Sequence, residues 1–188
     1  MRRNHLRLAA VACCILVTVP AAAKEREGVV SPEVIETSGK QLHLMGMGLR
    51  KKLWFKVYIA SFYLERPTED AALAVSSDQV KRVEMHMLRD LERGKITEAV
   101  QAGFENNSRP ELPKLQGRLD AFLKAIPDLM AGQVILVTYL PGRGTLIKAG
   151  KNEEIALPGK DFADALFSVW LGRQPVDDEL KNEMLKDR

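Results

Sequence analysis

Cysteine is almost missing from this chain. Its two copies, Cys13 and Cys14, both fall in the first 23 residues. From Lys24 onward there is none, which excludes disulfides, thiol catalysis and cysteine metal sites there. Histidine is scarce too: only His43 and His86 follow Lys24, and no G-x-S-x-G occurs. A Ser-His-Asp hydrolase is therefore disfavoured. An excess of one charge is lacking as well. The chain has 28 basic and 25 acidic residues, but residues 1–23 hold three arginines and no acid, leaving 25 of each. A balanced chain offers nucleic acid no electrostatic footprint, so no nucleic-acid partner is expected. After residue 23 no run is long enough for a membrane span, and no repeat or low-complexity tract appears. At 188 residues the chain suits one domain with a substantial core.

The first 23 residues read differently from the rest. Arg2, Arg3 and Arg7 precede an apolar stretch from Leu8 to Val19, and small residues follow at Ala21 to Ala23. That three-part pattern is a secretory signal peptide, with cleavage expected after Ala23. A lipoprotein site at Cys13 fits less well: the apolar run before it spans only Leu8 to Ala12, and Ala10 stands where leucine is usual. Residues 24–188 then form the mature domain, exported and periplasmic.

Along that domain, "VIETSGKQLHL" predicts two strands around an SGK turn, with Leu42 and Leu44 on one side and His43, Met45 and Met47 on the other. "LRKKLWFKVYIASFYL" is strand-like in its β-branched and aromatic content. Thr68 is positioned to cap an Ala-rich helix. "QVKRVEMHMLRDL" alternates as a strand, with Lys81, Val83, Met85 and Met87 on one face. Helices follow over "GKITEAVQAGFENNS", with Ile96, Val100 and Gly103 or Phe104 on one stripe, and over "LPKLQGRLDAFLKAIPDL". "QVILVTYLPGRGTLIKAGK" is a hairpin, "PGKDFADALFSVWLG" a helix closed by Gly172, and "DDELKNEMLKD" a short polar helix. Clustered strands with separate helices give α+β, a mostly antiparallel sheet whose helix layer can hold an apolar cleft.

Two constellations could carry chemistry. Arg50 and Tyr58 sit eight residues apart within Trp, Phe, Val and Ile. On one straight strand they would be about 26 Å apart at ~3.3 Å per residue. They converge only if the chain doubles back near Lys51 to Leu53. A guanidinium fork and a phenol beside apolar surface would suit a carboxylate with a hydrocarbon tail. The bland alternative is a snorkelling Arg50 and a core Tyr58. The second constellation, His43, Met45, Met47, Met85 and Met87, raises Cu(I), which thioethers select. Core filling by methionine competes with it, and His86 faces away from its neighbours by parity. "GMGLRK" lacks the third glycine of a dinucleotide loop and "PGRGT" lacks the end of a phosphate loop, so no cofactor is expected.

"GMGLRKKLWFKVYIASFYLE", "FENN", "YLPGRGT" and "DFADALFSVWLGRQPVDDELKNEML", in that order, resemble the chalcone isomerase-like family over residues 32–186, with the secreted bacterial branch the nearest likeness. The resemblance implies an open-faced β-sandwich with a ligand cleft between sheet and helices. It implies that Arg50 lines the cleft and, as in the fatty-acid-binding members, holds a carboxylate with a tyrosine. Tyr58 matches that tyrosine, with Tyr63 as the alternative. The isomerases of the family also need a tyrosine and an asparagine on a helix where this chain has Thr97 and Phe104. A non-catalytic binder of a small amphipathic carboxylate is the reading this favours. An intramolecular lyase acting on an enone and a Cu(I)-binding protein are the alternatives.

Overall fold

The computed structural model describes residues 22–186. The leader expected over residues 1–23 lies outside the described residues except at its last two positions. A hairpin of β1 (Ala23–Arg26) and β2 (Val29–Pro32) opens the fold. Seven further strands follow: β3 (Val34–Thr37), β4 (Lys40–Lys52), β5 (Phe55–Leu64), β6 (Lys81–Met87), β7 (Val134–Leu140), β8 (Gly144–Ala149) and β9 (Ile155–Leu157). They form one antiparallel sheet in sequential order, β3 through β9. The helices are α1 (Ala71–Ser76), α2 (Arg93–Ser108), α3 (Leu112–Ala125), α4 (Lys160–Leu171) and α5 (Asp178–Lys186). This is the α+β architecture that clustered strands imply.

Each sheet face has its own apolar cluster. On the helix side, Met45, Tyr58, Ala60, Phe62, Val83, Met85 and Met87 meet residues of α2 to α5. The central helix there is α4, with Phe162, Leu166, Phe167 and Trp170 all buried. Each such side chain removed from water contributes about 1.5–3 kcal/mol. On the other face Leu42, Leu44, Met47, Leu49, Ile59 and Tyr63 form a smaller cluster. The β1–β2 hairpin joins this side: the Ser31 and Ser61 hydroxyls are 2.7 Å apart and Tyr63 donates to the Pro32 carbonyl at 3.1 Å.

One irregularity decides which residues of β4 face the helices. The β4–β5 register slips between Leu44 and Gly46, so one residue is inserted as a bulge. Leu42, Leu44, Met47 and Leu49 thereby share one face, while Met45 turns to the other. This corrects the face expected for Met47, because simple alternation places it with Met45. The sheet therefore lies between the two thioethers, and the copper reading loses the pair on which it rested.

Past the short β3, the outer edge of β4 is covered by α5 instead of a strand. Glu183 of α5 accepts from the Leu49 N–H at 2.9 Å, and Arg26 donates to the Met47 carbonyl at 2.5 Å. Buried backbone groups need such partners. Gly48 permits the close approach: a Cβ there would meet the Leu180 carbonyl oxygen at 2.6 Å. Two other local expectations change. Asp70, not Thr68, caps α1, accepting from the N–H groups of Ala72 and Leu73. Gly172 does end α4, but at φ −67° and not in the left-handed region; a Cβ would lie 2.4 Å from Asn107 Oδ1.

Lys81 is fully buried on the helix face of β6. Its amine donates to the carbonyls of Ala74 (2.9 Å) and Val75 at the C-terminal end of α1. Burial pulls its pKa from 10.5 down to about 8, opposed by the Asp164 carboxylate. Between those values the unfolded chain holds more protons than the folded one, so stability rises with pH from about 8 toward 10.5. Tyr58 and Tyr63 act in the opposite sense. Burial raises both from 10.0 to about 12, so above pH 10 the unfolded chain loses protons first and stability falls. Denaturant titrations from about pH 7 to about pH 11, which cross the lysine window and enter the tyrosine one, should show a maximum near pH 10. In Lys81→Met the rising limb should vanish.

Candidate functional site

The chain does double back, through a two-residue turn at Leu53–Trp54. Arg50 and Tyr58 become direct cross-strand partners, which brings their Cβ atoms within about 5.5 Å. A second register shift, between Arg50 and Lys51, leaves Val57 as the inserted residue opposite them. Because the first bulge inverts the parity of β4, Arg50 emerges on the helix side with Gly48 and not with Leu42 and Leu44. Without that extra residue the guanidinium would point to the wrong face.

Both residues line a cavity of about 120 Å³ between the sheet and α2 and α4, walled by Met85, Ile96, Val100 and Trp170. Adjoining it, and sharing Arg50, Lys52 and Lys95 with it, is an outer opening of about 330 Å³ that Glu98, Asn106 and Gln174 also line. Tyr58 is 7% exposed, and its hydroxyl accepts from Trp170 Nε1 at 3.3 Å. Burial holds the phenol protonated, its pKa pushed up to about 12. Among the described residues that hydroxyl finds no acceptor of its own, so a buried donor faces the cavity unspent.

The guanidinium of Arg50 has a partner that lies 127 residues away in sequence. Its Nη1 donates to Asp177 Oδ2 at 2.7 Å and to the Lys51 carbonyl at 2.5 Å. The Nε–Nη2 edge makes no hydrogen bond among the described residues, leaving one side of the fork for a planar anion. Asp177 has a second task, since its Oδ1 accepts from the Leu180 N–H at 3.0 Å and so caps α5. The segment carrying it is pinned down. Asn107 donates to the Gln174 carbonyl and accepts from the Gln174 N–H, and the Val176 N–H donates to the Val169 carbonyl at 2.8 Å.

Tyr63 does not belong to this cleft. It stands an odd number of residues from Tyr58, so its ring projects into the opposite cluster and its hydroxyl is spent on Pro32. The sequence reading also passed over Asp177 and Trp170. Trp170 could have been found from its place on the most apolar helix, since a buried indole N–H needs an acceptor. Asp177 offered only the weak signal of an N-cap acid. On α2, Thr97 turns its hydroxyl back to the carbonyls of Arg93 and Gly94, while Phe104 is buried against Phe162.

A sheet with one helix layer and a cleft lined by a guanidinium, a protonated phenol and an apolar wall defines a class of small α+β proteins with a hollow between sheet and helices. Within that class the chain belongs to the chalcone isomerase-like family, whose pattern matches residues 23–186. Its fold is similar to that of a fatty-acid binding protein of Arabidopsis thaliana, AtFAP1. The match has 16% sequence identity, covers 87% of this chain and 96% of that one, and has a TM-score of 0.68. No curated protein matches the sequence.

Proposed function

We propose that the protein binds a small amphipathic carboxylate, a fatty acid, without transforming it, and does so after export directed by its N-terminal segment. The observation that carries this reading is the pairing of two unspent donors, the Tyr58 hydroxyl and the free edge of Arg50, on the wall of one apolar cavity. A carboxylate has two acceptor oxygens to meet both. The fatty-acid binding protein of Arabidopsis, whose fold is similar, supports the choice of ligand.

Size refines the proposal. The inner cavity, about 120 Å³, is smaller than the ~300–1,000 Å³ usual for small-molecule sites. Arg50 lines both this cavity and the outer opening, so the carboxylate sits at their junction and the first methylenes fill the apolar inner cavity. Titration of the purified protein with dodecanoate, dodecanol and methyl dodecanoate tests this. The acid should bind about 100-fold more tightly than the alcohol or ester, because only the anion satisfies both donors. Equal affinities for the three would remove the carboxylate from the account.

A further inference from the structure

The turn that brings Arg50 to Tyr58 is chemically unusual. Two-residue hairpin turns favour Asn, Asp and Gly, yet here the tip is Leu53-Trp54, followed by Phe55. Leu53 has a φ of 56°, the left-handed region that a leucine occupies at a cost of about 1–2 kcal/mol. Leu53 and Trp54 are 76% and 79% exposed, and Phe55 is 46% exposed. Neither apolar cluster includes these side chains: Trp54 and Phe55 touch each other, with ring centroids 5.6 Å apart, and Arg89 lies over Phe55 at 4.6 Å.

Cations surround the tip. Lys51, Lys52, Lys56 and Arg89 flank it, and only two of the four are paired with carboxylates, Lys51 with Glu179 and Lys56 with Glu27. Lys52 and Arg89 have no ion pair among the described residues, and Asp90 beside them accepts from the Ala131 N–H. A narrow apolar prow with an indole, set in a collar of cations, matches a bilayer interface. There the indole sits at headgroup depth and lysines meet anionic lipid. A stable protein partner would need a surface of about 800 Å² per side, far broader than a two-residue turn.

We infer that the β4–β5 tip, Leu53-Trp54-Phe55 with Lys51, Lys52, Lys56 and Arg89, docks the protein on anionic phospholipid bilayers. Resting on the fatty-acid reading, this would bring the cleft mouth to the membrane, because Lys52 of the collar also lines both the inner cavity and its opening. The ligand could then pass between bilayer and cleft with little exposure of its tail to water.

The test uses protein produced from the full chain and vesicles of equal parts phosphatidylglycerol and phosphatidylcholine. Trp54 is the exposed tryptophan and Trp170 is 2% exposed, so the spectral change on docking reports the tip. Emission should shift to shorter wavelength and be quenched by brominated acyl chains. Partitioning should fall about tenfold or more in the doubly substituted Trp54→Ser, Phe55→Ser protein, and also in pure phosphatidylcholine or high salt. Unquenched tryptophan emission on bound protein, or equal partitioning of the variant, would overturn the inference; so would capture by a protein in place of lipid. The two readings fail separately. The tip variant should still bind dodecanoate, and Arg50→Ala should still bind vesicles.

Discussion

Arg50→Ala is expected to weaken dodecanoate binding about 100-fold or more while the protein stays folded. Charge-assisted hydrogen bonds to a partly buried carboxylate are worth roughly 1.5–3 kcal/mol each, and the variant loses the fork that makes them. It also exposes the ligand to Asp177, which loses its counter-ion yet keeps its cap on Leu180. Folding should survive because Arg50 lies near the end of β4, with its side chain 21% exposed, outside both apolar clusters. Arg50→Lys should recover only part of the affinity, since an ammonium keeps the charge without the planar fork. Calorimetric titration beside a thermal melt separates the two effects. Unchanged affinity in the alanine variant would end the proposed role of the cleft.

The residues that make this prediction possible were unevenly visible in the sequence. Elements with strong periodicity could be read directly: Lys81 to Met87 alternate as observed, and Ile96, Val100 and Phe104 do form the buried stripe of α2. The site depended on features that periodicity does not encode. A bulge adds one residue and reverses every later side chain of the strand, and its only trace is Gly46 inside a strand pattern. Burial of a lysine was hidden for another reason. Lys81 follows the alternation, but its partners are backbone carbonyls of α1, which no residue pattern marks. The C-terminal helix, polar in composition, still buries Leu180, Met184 and Leu185 against β4 and the core. Its first turn delivers Asp177 to Arg50 through tertiary packing alone.

That same carboxylate yields the second large prediction, with the opposite sign. An arginine waiting unpaired in an apolar slot would be costly, and the fold avoids this by supplying Asp177 as an internal counter-ion. A bound fatty acid must then share the guanidinium with a fixed negative charge. Two like charges about 6 Å apart repel by roughly 3 kcal/mol at an effective dielectric of ~20, before solvent screening. Asp177→Asn removes that repulsion, and asparagine caps a helix about as well as aspartate, so α5 should stay in place. Dodecanoate affinity should rise about tenfold, while dodecanol affinity, blind to the charge, should not change. If the acid binds no better, or worse, Asp177 serves to aim the guanidinium and does not compete for it. If the alcohol gains equally, the substitution has merely loosened the cleft. The expected pattern, a gain confined to the anion, ties the carboxylate specificity of the cleft to a residue in the last turns of the chain.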